Sequence, residues 1–159
     1  MAWPWAAARR VAEMREVVRR AAGLANASGA RVTATSGSGS ITASGAITAT
    51  TLVSLTSKTD TTIGSASGSN VTAIAGEDFT STRAINATNN ATITATGKIT
   101  TGGSVTAGNA VRLLASDATI GAAVSAKTID VTNTGRNALV IGGEAESAEN
   151  KFTLSRLET

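Results

Sequence analysis

The sequence predicts an all-β protein whose body is a parallel β-solenoid, and three observations carry that prediction. A unit Ile/Val-Thr-Ala/Thr recurs at Val32, Ile41, Ile47, Val71, Ile93, Ile99 and Val105. The separators between units are short and made of pairs such as SG, TG, GG, GN and NN, and aromatic residues are only 3% of the 159. Repetition of short units that cannot bury their own apolar face signals a stacked architecture. The scarcity of aromatics requires a narrow interior lined by Ala, Val, Ile and Leu.

Residues 1–24 are expected to form an amphipathic helix that is not part of the stack. They hold both Trp, both Met, the only Pro and five Arg. Ala7, Val11, Met14, Val18 and Ala21 alternate in spacings of three and four, which places them on one helical face, and Gly23 is a stop signal. The role expected of this helix is to cap the first coil, because an uncapped solenoid end exposes apolar interior and unpaired strand edges. A second role weighed for it is contact with an anionic membrane through Trp3, Trp5 and the arginines. Residues 25–30 are read as a linker.

From residue 31 to 159 the chain is read as the solenoid. Within each unit the aliphatic residue and the Ala lie two apart, so a strand turns both to one face and the intervening Thr to the other. The prediction is that Ile41, Ile47, Ile93, Ile99 and Val105 point inward and Thr42, Thr48, Thr94, Thr100 and Thr106 outward. Unit starts at Ile93, Ile99, Val105 and Val111 are six residues apart, which leaves three or four extended residues and a short corner. Three such sides give a coil of roughly 18–22 residues at the ~4.8 Å strand spacing, hence about six coils and a rod on the order of 30 Å. The intervals from Ile41 to Ile63 and from Ile63 to Ile85 are read as coil lengths. From about residue 144 the pattern turns irregular and charged, with Phe152 and Leu154 suited to a last strand.

Charge and chemistry narrow the function classes. The net charge is +3, and the first 23 residues, with five Arg against Glu13 and Glu16, contain all of that excess. The body therefore has no basic stripe suited to phosphates, and no nucleic-acid partner is expected. Cys and His are both absent, which removes disulfides, thiol nucleophiles and the usual zinc ligands. The carboxylates Asp60, Glu77, Asp78, Asp117, Asp130, Glu144, Glu146, Glu149 and Glu158 are read as solvated and as not recurring at coil spacing. No enzyme activity, catalytic residue, cofactor or metal is expected.

Thr-x-Thr triplets begin at Thr33, Thr48, Thr59, Thr80, Thr92, Thr94 and Thr132, at spacings that look irregular for a regular rank. Gly102-Gly103 and Gly142-Gly143 lack the context of a nucleotide loop and read as corners. Asn70, Asn86 and Asn90 head glycosylation sequons and read as corner residues that form amide ladders. No secretory signal precedes the repeats, since the arginines follow the apolar stretch, and no window approaches the ~20 apolar residues of a membrane span.

The stretches GSITASGAITAT, ATITATGKITTGGSVTAGNAV and GAAVSAKTIDVTNTGRNALVIGG resemble the repeat region of filamentous-haemagglutinin-like adhesins, the large exoproteins of two-partner secretion. The likeness spans roughly residues 31–143. It implies a right-handed parallel β-helix acting as a non-catalytic stalk of a secreted or cell-surface bacterial protein. It also implies host-cell or surface glycans, or other copies of the adhesin, as partners, with an outer-membrane transporter for the parent protein. The family's N-terminal secretion domain has no counterpart here, so a fragment, a truncated reading frame or a misassigned start is expected. A polysaccharide lyase and an ice-binding solenoid are the alternatives from other classes.

Overall fold

The computed structural model describes residues 17–18, 22–135 and 139–156. Among them every regular element is a strand: β1 (Val17–Val18), β2 (Ala22–Leu24), β3 (Ala27–Ser36), β4 (Ile41–Ser57), β5 (Thr61–Ala75), β6 (Phe79–Ser81), β7 (Ile85–Ala95), β8 (Lys98–Thr101), β9 (Val105–Ala107), β10 (Ala110–Ala115), β11 (Asp117–Ile120), β12 (Val124–Asn133), β13 (Val140–Ile141) and β14 (Ala145–Arg156). They wind into a parallel β-solenoid of about six turns.

Each coil has three sides. The first face stacks residues 41–43 of β4, 61–63 of β5, then β6, β8, β11 and β13. The second stacks residues 27–29, 46–48, 65–68 and 85–87, followed by β9, the start of β12 and the start of β14. The third and longest face stacks the C-terminal parts of β3, β4, β5 and β7, then β10, β12 and β14.

Along the third face Val32, Val53, Val71, Ala91, Val111, Ile129 and Phe152 occupy one register column, separated by 21, 18, 20, 20, 18 and 23 residues. The expected coil length is therefore right on average. The particular intervals used to estimate it do not join stacked residues: Ile63 lies over Ala43 rather than Ile41, and Ile85 lies over Ala66 on a different face.

The expected inward and outward sides hold. Ile41, Ile47, Ile93, Ile99 and Val105 are fully buried, whereas Thr42 and Thr48 are exposed and Thr94, Thr100 and Thr106 half-buried. Removing such side chains from water is worth roughly 1.5–3 kcal/mol each. The coil that holds Phe79, the one buried aromatic among the described residues, has the small Ser81, Ala87 and Ala91 at inward positions beside Ile85 and Ile93. A small residue beside a large one lets the narrow interior stay close-packed.

Corners turn by close approach. A Cβ on Gly76 would run into the carbonyl of Lys58 one coil below, and a Cβ on Gly103 would stand 2.5 Å from the Ala84 nitrogen. No glycine between Gly37 and Gly143 has left-handed backbone, so at these corners glycine serves for its missing side chain rather than for a special φ. Corner amides also bond one coil down, as in Gly76 N–H to the Ser57 carbonyl (3.1 Å) and Gly102 N–H to that of Ser81 (2.7 Å).

Two expectations about the N-terminal region change. Val17–Val18 pairs with β3 and Ala22–Leu24 with β4, both parallel, so these residues of the expected 1–24 helix extend the sheet instead. Their β-branched and small side chains suit a strand that finds a ready edge on the next coil. The rest of that helix, including Ala7, Val11, Met14 and Ala21, lies outside the described residues. β3 also takes in residues 27–30, assigned above to a linker. At the other end Phe152 and Leu154 do lie on a last strand, paired with Ile129 and Val131.

Candidate functional site

With the aliphatic side turned inward, whatever this body does at its surface falls to the outward positions and the corners. The parallel register lines these up every coil, about 4.8 Å apart.

On the first face one outward column is threonine in five successive coils: Thr42, Thr62, Thr80, Thr100 and Thr119. On the third face two outward columns run side by side, Thr33, Ser54, Thr72 and Thr92 in one and Thr35, Thr56, Ile74 and Thr94 in the other. They then change character. Arg112 and Asp130 follow in the first column, joined by an ion pair of 3.2 Å, and Leu114 follows in the second, 40% exposed.

The Thr-x-Thr triplets thus fall in different places. Those at Thr33 and Thr92 share the third face, the one at Thr48 lies on the second, and those at Thr80, Thr94 and Thr132 run from a face into a corner. Thr61, the last residue of the triplet at Thr59, is buried.

Asparagine forms the expected ladder at the start of the third face. Asn89 donates to Asn70 Oδ1 (3.2 Å), Asn90 to the same oxygen (3.4 Å) and Asn109 to Asn90 Oδ1 (2.9 Å). Asn86 stands apart from it, exposed and outward on the second face between Ser67 and Thr106.

The carboxylates correct one expectation, because three of them do recur at coil spacing. Asp60, Asp78 and Asp117 share the corner that opens the first face, with Lys98 between the last two. Asp60 accepts the Asp78 amide (3.1 Å) and Asp78 accepts the Lys98 amide (2.7 Å), so both link one coil to the next. The recurrence is hidden in sequence by coils of unequal length.

Glu77 is exposed at the same corner, and Glu144 is exposed in the corner before β14. Glu146 projects from the second face. The side chains of Glu149 and Glu158 lie outside the described residues. Gly102-Gly103 and Gly142-Gly143 both sit at the corner between the first and second faces, as expected of them. Among the described residues no group of three or more acidic side chains could hold a metal ion, and no helix is long and apolar enough to cross a membrane.

Two shallow, open grooves follow the corner between the second and third faces. One, of about 410 Å³, is lined by Thr50, Ser67, Ser69, Asn86 and Thr88 over a floor of Ala49, Gly68 and Ala87. The other, of about 680 Å³, continues along later coils past Ser125, Lys127 and Glu146 over Ala107 and Ala126. Some of the hydroxyls here serve the coil itself: Ser69 donates to the Thr50 carbonyl (2.8 Å) and Ser147 to that of Lys127 (2.6 Å).

The sequence reading missed the threonine column, the aspartate corner, the Arg112–Asp130 pair and the grooves. Numbering residues by position within a coil, instead of by a fixed period, would have revealed the first three. Compared with known proteins, the chain matches no family model, no curated protein and no solved structure.

Proposed function

We propose that this chain is a non-catalytic structural or adhesive segment, a rod-like stalk belonging to a larger exported bacterial surface protein of the filamentous-haemagglutinin kind. The observation that carries the reading is the repeated coil: a predominantly aliphatic interior, hydroxyl and amide columns outside, and Asp60 and Asp78 engaged in holding coils together. On this reading the coil is right-handed, as parallel crossovers nearly always are. The partners are surface glycans or further copies of the protein, and an outer-membrane transporter delivers the parent chain to the cell surface.

The competing reading is a polysaccharide-cleaving enzyme using the groove that contains Glu146. Incubating the purified chain with a panel of linear acidic and neutral polysaccharides distinguishes the two. The stalk reading expects neither reducing ends nor unsaturated products, together with an elongated particle in small-angle scattering. Turnover that disappears on Glu146→Gln would replace it with the enzyme.

A further inference from the structure

We propose that the third face, over the coils between residues 31 and 95, is a surface that adsorbs to ice. Seven of the eight outward positions in its two columns carry a hydroxyl: Thr33, Thr35, Ser54, Thr56, Thr72, Thr92 and Thr94, with Ile74 at the eighth. All seven are half-buried on the outer side of the sheet. Six are threonine, whose branched Cβ restricts χ1 and so holds hydroxyl and methyl in fixed directions.

The spacing of this array is set by the backbone. Coils repeat at about 4.8 Å, and alternate residues along a strand at about 6.7 Å. Water joined tetrahedrally through hydrogen bonds of about 2.75 Å repeats at about 4.5 Å in the basal direction and about 7.4 Å along the perpendicular axis. The mismatch is about 0.3 Å per coil, accumulating to about 1 Å over four coils, and about 0.7 Å between the two columns along the strand. A hydroxyl can both donate to and accept from lattice water, while the threonine methyls and the Ile74 side chain, 46% exposed, supply apolar area for burial against the crystal.

Charge lies at the margins of the array, with exposed Arg31 in the neighbouring outward column of its first coil. The two columns contain no ionic side chain until Arg112 and Asp130 end the array. Ammonium and carboxylate groups hold water in tight shells of their own and would oppose a shared lattice. The first face is an internal control. It has one threonine column only, and the corner of Asp60, Asp78, Lys98 and Asp117 lies between it and the third face.

The test measures inhibition of ice recrystallisation by the full chain, with circular dichroism to confirm that each variant keeps its strands. The pair Thr72→Lys with Thr92→Lys places two cations in the array, and Thr62→Lys with Thr100→Lys places two on the first face. The milder pair Thr72→Ala with Thr92→Ala serves if the lysine pair fails to fold. The expected outcome is inhibition by the unaltered chain that falls by roughly tenfold in the third-face variants, the loss of one or two hydrogen bonds, and changes little in the first-face pair. An inert full chain, or equal losses from both faces, overturns the proposal.

Discussion

The first and third faces bury different things. Inward positions of the first face include Thr61, Ser81 and Thr101 among Ile41, Ile63, Phe79, Ile99 and Ile120, whereas the two leading columns of the third face, from Val32 and Ala34 to Ile129 and Val131, are wholly aliphatic. The third face admits polar residues only at its last inward position, as Ser36, Ser57 and Asn133. Closeness to a corner is what these sites have in common. Ser57 donates to the Thr59 carbonyl (3.0 Å) and lies 2.8 Å from Thr61 Oγ1; Ser81 donates to Arg83 (2.5 Å) and Thr101 to Gly103 (3.0 Å). At Ser57, Ser81 and Thr101 the turning backbone brings a carbonyl within reach two residues on, whereas the Ser36 hydroxyl is buried at its corner without a hydrogen-bond partner among the described residues. In mid-strand the carbonyls lie in the plane of the sheet and point along the ladder, away from an inward side chain, so a buried hydroxyl there would lack a partner.

That contrast can be attacked directly. Ile93→Thr, in mid-face, should have the largest effect, destabilising by roughly 2–4 kcal/mol through lost apolar contact and an unpartnered hydroxyl. Urea unfolding followed by circular dichroism measures it. Gly76→Ala pushes a methyl against the Lys58 carbonyl and should cost about 1–3 kcal/mol by the same assay, as overpacking does. Thr101→Val removes a corner hydrogen bond but adds a methyl, so its cost should stay at about 1 kcal/mol or less. If it matched Ile93→Thr, distance from a corner would not be the governing variable. Smallest of all should be Arg112→Ala, which breaks a surface ion pair whose side chains are 71% and 38% exposed. A loss of about 0.2–1 kcal/mol, shrinking further in high salt, is expected there.

Much of this architecture was legible in the chain, and what was not has a definite cause. The alternation around Ile41, Ile47 and Val105 announces a half-buried strand, because a pleated backbone sends successive side chains to opposite faces. Register is another matter. A corner that holds one residue in one coil and several in the next shifts every later position, so Ile63 comes to rest over Ala43 and the aspartates at 60, 78 and 117 align although their spacing is uneven. The N-terminal pattern misled for a related reason. Residues three and four apart read as a helical face, yet Val17–Val18 and Ala22–Leu24 had open strand edges beside them, and tertiary pairing overrides local preference. The candidate surfaces were the least visible part, since the hydroxyl columns exist only once coils of 18, 20 and 21 residues have been stacked.

The parallel register also decides how the rod would respond to force. Interstrand hydrogen bonds join each coil to the next along the length of the body, so tension applied end to end loads the coils in series. It opens the terminal coil while those behind remain closed. Each coil that peels away frees 18 to 23 residues, about 60–80 Å of chain at ~3.3–3.6 Å per residue. A pulled molecule would therefore lengthen in a staircase of unequal steps, each step recording the size of one coil, and would give up length under load long before it parted.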